Sequence, residues 1–171
     1  MNQKMTIKNQ LMLLSSALLL LLLAVGIYGA YRARATSIEM QSLYQDRVVP
    51  LKQLKAVSDL YAVNIVDTVH KTRDGALGTQ QALAAIAQAR TDVTKNWQAY
   101  VGTLLVPREQ QWVNRFVPLQ KLADEAVTQL EALIRSGDKT ALAGFAAQKM
   151  YPAFDPLQEV LNALIDVQLD V

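Results

Sequence analysis

Between Leu11 and Tyr31 the chain reads LMLLSSALLLLLLAVGIYGAY, without a single charge. Wound as a helix at about 1.5 Å per residue, these 21 residues reach about 30 Å, the thickness of a bilayer's hydrocarbon core. Lys4 and Lys8 precede the run, and Tyr28 and Tyr31 fall where an interfacial aromatic belt lies. A cleaved signal peptide is the competing reading, because Ala33-Arg34-Ala35 has the small-x-small form of a cleavage site. Against it, the run exceeds the roughly 7–15 apolar residues of such peptides. Two arginines, Arg32 and Arg34, also separate it from the cut. We read an uncleaved anchor: residues 1–10 a cytoplasmic tail, 11–31 a transmembrane helix, 32–171 a body outside. Arg32 and Arg34 balance the two lysines, so the topology rests on simplicity more than on charge.

The body's composition narrows its class. The whole chain is 51% hydrophobic with only 7 Gly and 5 Pro, so turns are few and helix is expected. From Thr36 onward 13 Lys and Arg face 15 Asp and Glu, and no basic patch offers itself to nucleic acid. Cysteine is absent, which excludes disulfides and thiol chemistry.

Apolar residues recur at helical spacing through four segments. The first, about Ala35 to Arg73, carries Leu51, Leu54, Ser58, Tyr61, Ile65 and Thr68 at heptad steps, with Pro50 as a bend. After the break RDGALG, a second segment starts at Thr79, read as its N-cap, and runs to about Leu104. Its stripe is Leu83, Ile86, Val93 and Trp97, and the slot between Ile86 and Val93 holds Arg90. LVPREQQ comes next, with Pro107 suited to a helix's first turn. The third segment carries Trp112, Phe116, Leu119, Ala123, Ala126, Leu130 and Leu133, and Pro118 should disturb it. SGDK is the last break. The fourth segment shows Leu157, Val160, Leu164, Val167 and Val171 after the irregular KMYPAFDP. The pattern predicts an all-α fold: an antiparallel up-down-up-down four-helix bundle preceded by one transmembrane helix. YRARATSIEMQSLYQDR lacks Gly and Pro, so the first bundle helix should continue directly from the span.

RVVPLKQLKAVSDLYAVNIVDTVHKTRDG, ARTDVTKNWQAYVGTLL and YPAFDPLQEVLNALIDVQ, in that order behind an anchor, resemble the periplasmic four-helix-bundle sensor domain of bacterial methyl-accepting chemotaxis proteins. The resemblance implies a homodimeric receptor in the inner membrane that binds a small solute near the membrane-distal end. Binding would move the fourth helix like a piston. The family pattern continues into a second span and a signalling coiled coil beyond Val171, so we expect either the sensing part of a longer receptor or a receptor whose output is missing.

Arg90 has two readings. It is a bundle arginine whose stem packs along the stripe and whose head pairs with an acid such as Asp67 or Asp124. Alternatively it is a planar, permanently charged fork suited to a ligand's carboxylate. The resemblance adds weight to the second, since arginines of the distal helices hold the ligand in that family. Arg73 is a further candidate, at the turn. Tyr61, Asn64 and Thr68 offer polar groups near the same stripe, and Lys149 and Tyr151 reach a comparable depth on the fourth helix. Pro152 lacks an N–H, which leaves a carbonyl near Gln148 free. His70, the lone histidine, reads as a surface residue, and one imidazole without cysteines makes no metal site. No nucleophile–base pair and no phosphate loop appear, so no catalysis and no cofactor are expected. A second apolar edge, Val57, Leu60 and Val63, suits association of two copies. The function expected is chemoreception of a small organic acid. The alternatives are the input domain of a sensor histidine kinase or cyclase, and an anchored helical scaffold without ligand. N-terminal sequencing of the membrane-extracted protein tests the anchor, and a mature start at Thr36 overturns it.

Overall fold

The computed structural model describes residues 6–170, in two compact units divided after Tyr44. The first unit is α1 (Ile7–Leu43), of which no residue is buried. Helical backbone continues without a break from Ile7 to Arg73. Among the described residues this is the one helix long and apolar enough to cross a membrane, with a window of mean hydropathy 2.5.

The second unit is the bundle. Its first limb is α2 (Val49–Asp59) and α3 (Val66–Arg73), its second α4 (Thr79–Val101) and its third α5 (Pro107–Ser136). The fourth is α6 (Lys139–Phe145) and α7 (Tyr151–Asp170). Short turns make neighbours antiparallel, and each limb packs on the next around a closed square, with α2 against α7 completing it. Gly137 ends α5 in the left-handed conformation at φ 71°, where a side chain would be strained, and Asp138 caps α6 by accepting from the Ala141 N–H at 2.9 Å.

Three π-helical turns interrupt the limbs: Tyr44–Val48, Leu60–Ile65 and Ala146–Met150. Two have a sequence cause. A proline ring crowds the carbonyl four residues earlier. For Pro50 that carbonyl belongs to Asp46 and for Pro152 to Gln148, each inside one of these turns. The irregular KMYPAFDP is therefore a widened turn within a continuing helix, and the Tyr151 N–H reaches back to the Ala146 carbonyl. Pro118 causes no break: α5 runs unbroken through it, with the proline on the solvent side.

The core keeps to the expected stripes with two shifts of register. On α4 the buried residues are Ala82, Ile86, Ala89, Val93, Trp97 and Tyr100. Ala89, 4% exposed, fills the slot assigned to Arg90, which stands one position further round at the edge. On α5, Val113, Val127 and Ile134 are core while Trp112, Leu119 and Leu133 are half-buried beside it. Trp97 stacks on Phe116 with ring centres 3.7 Å apart, which ties α4 to α5. Leu157, Val160, Leu164 and Val167 are buried as expected, and Val171 lies outside the described residues. The proposed second edge of limb one is largely consumed by the core: Val57 is fully buried, Leu60 half-buried, and only Val63 exposed.

Candidate functional site

Tyr61 is the second residue of the Leu60–Ile65 π turn and lies 2% exposed, edge-on to Phe154 of α7 with ring centres 5.2 Å apart. Its hydroxyl oxygen is buried with no hydrogen-bond partner of acceptable geometry. The Gln120 amide comes close without completing a bond, and Asp124 and Arg90 are the nearest charges. Burial, and then the Asp124 carboxylate, push the phenol far above its ordinary pKa, so it stays a neutral donor.

Arg90 lies at the rim of the α4–α5 seam. Its Nη1 is 3.3 Å from Glu131 Oε1 and 3.5 Å from Thr128 Oγ1. The partner is thus Glu131, in place of Asp67 or Asp124. Glu131 is shared, because Arg135 Nη2 stands 3.6 Å from its other oxygen. Beside the pair runs an open groove lined by Arg90, Lys121, Asp124, Glu125, Thr128 and Gln129.

The remaining sequence-chosen residues divide. Thr68 is buried and donates to the Asn64 carbonyl at 2.7 Å, which satisfies its hydroxyl within its own helix. The Asn64 and Lys149 side chains are exposed. Tyr151 Oη meets His70 Nε2 at 3.1 Å in an exposed contact, so the half-buried His70 sits at the surface and is tied to the fourth limb. Arg73 Nε donates to Asp74 at 2.8 Å, and this bond holds the Asp74 carboxyl below its usual range. Tyr61 and Arg90 therefore share one neighbourhood. Tyr151, His70, Arg73 and Asp74 form another at the Gly75 end, beside a cavity of about 190 Å³ that Lys139 and the Gly75 and Gly137 turns enclose.

Sequence reasoning misses a polar cluster at the opposite end. Glu109, 1% exposed, accepts from Tyr100 Oη and from the Val106 N–H, both at 2.8 Å, and from Gln168 Nε2. The signal that could reveal it is the spacing of Val106 and Glu109, which places a carboxylate at the third position of α5. Burial and the Glu109 bond push the Tyr100 hydroxyl far up.

Asp124 supplies a pH test. Burial raises its carboxyl pKa, against a smaller lowering by Arg90. A carboxyl whose folded pKa exceeds its unfolded value destabilises the fold above that pKa, and the penalty disappears as pH falls through it. Asp124→Asn should therefore raise the melting temperature at pH 7 and leave it unchanged below about pH 3, where both states carry the proton. Thermal melts across pH check this, and equal gains at both pH values overturn it.

The family described as a four-helix-bundle sensory module for signal transduction matches residues 4–171. The methyl-accepting chemotaxis protein NahY of Pseudomonas putida is 34% identical over 168 residues, which are 98% of this chain. The chain spans 31% of that relative's length. No solved structure matches. Limb order, unbroken first helix and heptad stripes agree with the match, and the chain belongs to the family of four-helix-bundle sensory modules for signal transduction.

Proposed function

We propose that the chain is the sensor region of a chemotaxis receptor, with the bundle in the periplasm and α1 in the inner membrane. It binds a small carboxylate through Arg90 and signals across the membrane as a homodimer. The observation that carries the ligand reading is the sharing of Glu131 between Arg90 and Arg135. A ligand carboxylate can take the Arg90 fork while Glu131 keeps Arg135, so no acid is stranded. The Gln129 amide and the Lys121 ammonium line the same groove and can serve the ligand's remaining oxygens, while the unsatisfied Tyr61 hydroxyl lies buried behind it. The groove bears acids as well as cations, so Asp124 and Glu125 select against ligands of high negative charge. The relative's printed name, a chemotaxis protein, supports the receptor class.

Calorimetric titration with mono- and dicarboxylates tests the site. Arg90→Ala should cost about 2–5 kcal/mol of binding, roughly thirtyfold to several thousandfold. Arg90→Lys should lose most of it, since an ammonium lacks the fork. Glu131→Gln should tighten binding severalfold by freeing the guanidinium. The Arg90 side chain is 38% exposed, so the pair itself is worth about 1 kcal/mol or less of stability. Variants that melt lower by several times that amount yet bind as wild type would make Arg90 a structural residue and sink the clamp.

Association should run along limb one, through Val63 and Leu60. Sedimentation should show a weak dimer that Val63→Glu dissociates. A concentration-independent monomer, with or without a bound carboxylate, overturns the dimer.

A further inference from the structure

Gln168, in the last turn of α7, is 5% exposed and half-satisfied. Its amide nitrogen donates to Glu109, while its carbonyl oxygen is buried without a hydrogen-bond partner. A cavity of about 200 Å³ adjoins it, lined by Asp46, Arg47, Thr103, Leu104, Val106 and Gln168. Arg47 belongs to the π turn of limb one that precedes Pro50, and no hydrogen bond or ion pair holds its guanidinium among the described residues. One wall of the cavity thus carries an acceptor without a donor, and another carries the Arg47 donors beside the Asp46 carboxylate.

Glu109 is the fixed half of the arrangement. Its carboxylate gathers the end of α4 through Tyr100 and the start of α5 through Val106, both well-formed bonds. Gln168 is its tie to α7. A buried polar group left unpaired is costly, so the last turn of α7 has two competing demands. It can keep the Glu109 bond and leave the carbonyl orphaned, as in this structure. Or it can move into the cavity and give the carbonyl to Arg47.

We propose that Glu109 is the positioning residue that latches α7 in its resting place, and that Arg47 receives Gln168 when α7 shifts. The device rests on the receptor reading above, together with the piston-like motion of the fourth helix that the resemblance implies. It links α7 to limb one, whose helix continues unbroken from the apolar span. The cavity gives the room, the π turn gives Arg47 a backbone with looser hydrogen bonding, and the shared carboxylate sets the threshold.

Because the chain has no cysteine, spin labels placed by Asn114→Cys and Leu169→Cys, both exposed positions, report the α5–α7 distance within one protomer when the labelled chain is diluted in a large excess of the unlabelled one. The full chain is measured in phosphatidylcholine nanodiscs, without ligand. The expected result is one dominant distance in the labelled parent. In Glu109→Gln a second distance should rise at least tenfold in population, and adding either Arg47→Ala or Gln168→Leu should remove it. Glu109→Asp, which keeps the charge and withdraws it from Gln168, should behave as Glu109→Gln and serves if that variant does not fold. Folded variants whose distance stays single, with only a lower melting temperature, make the cluster a fold element and overturn the latch. So does a second distance that persists without Arg47. The two readings fail separately: a moving α7 in a chain that binds no carboxylate removes the ligand alone, and tight binding with an immobile α7 removes the latch alone.

Discussion

Four helices that each bury one stripe leave almost no water inside the square, so a polar atom on a stripe needs a partner from another limb. The organisation of this bundle depends on how that demand is met. The Gln158 amide nitrogen and the Ser58 hydroxyl meet it across limbs one and four. Glu109 meets it three times over, from three separate segments. Tyr61 and Gln168 do not, and among the described residues the amide oxygens of Gln53 and Gln158 are likewise buried without a hydrogen bond. Each unpaired group costs about 1–3 kcal/mol, a noticeable share of a domain's net stability of about 5–15 kcal/mol. Tyr61 and Gln168, which adjoin the groove of Arg90 and the cavity of Arg47, are where a ligand and a displacement are proposed.

The backbone handles the same demand in the π turns. A widened turn changes the hydrogen-bond register by one residue and rotates the helix beyond it. At Leu60–Ile65 no proline requires it, and the turn carries Tyr61 into the core against Phe154. There the interruption has no local sequence cause, and its effect is tertiary: an aromatic ring fills the interior while its hydroxyl is turned toward α5.

Particular residues show which parts of this are legible in the sequence. The three breaks at Gly75, Val106 and Gly137 can be read because glycine, proline and a capping aspartate act within a few residues of themselves. The widened turns before Pro50 and Pro152 are foreshadowed as a bend and an irregular start, because the clash lies four residues away. The stripe position given to Arg90 is off by one residue for a physical reason. Seven residues separate Ile86 from Val93, and positions 89 and 90 both fall within the stripe's width. Alanine carries little hydrophobic signal, so the periodicity does not single out Ala89, although it is the buried residue of that turn. The partners Glu131, 41 residues from Arg90, and Gln168, 59 from Glu109, are illegible because only the bundle's closure brings them together.

The Tyr61 and Gln168 sites are mechanically one system. Phe154, in contact with Tyr61, and Gln168, held by Glu109, stand on the same helix, about 21 Å apart at 1.5 Å per residue. Between them Leu157, Leu161 and Leu164 are fully buried. A core packed to crystal density compresses little, so α7 cannot absorb a displacement at Phe154 by local yielding. Its side chains interlock with α2 and α5, and it moves as a body by small sliding steps or not at all. Whatever reorders the Tyr61 neighbourhood must therefore be answered at the other end of the helix, where a single amide joins α7 to the Glu109 carboxylate. The bond at Gln168 sets the force needed to start that motion, and the cavity beside Arg47 sets how far it goes.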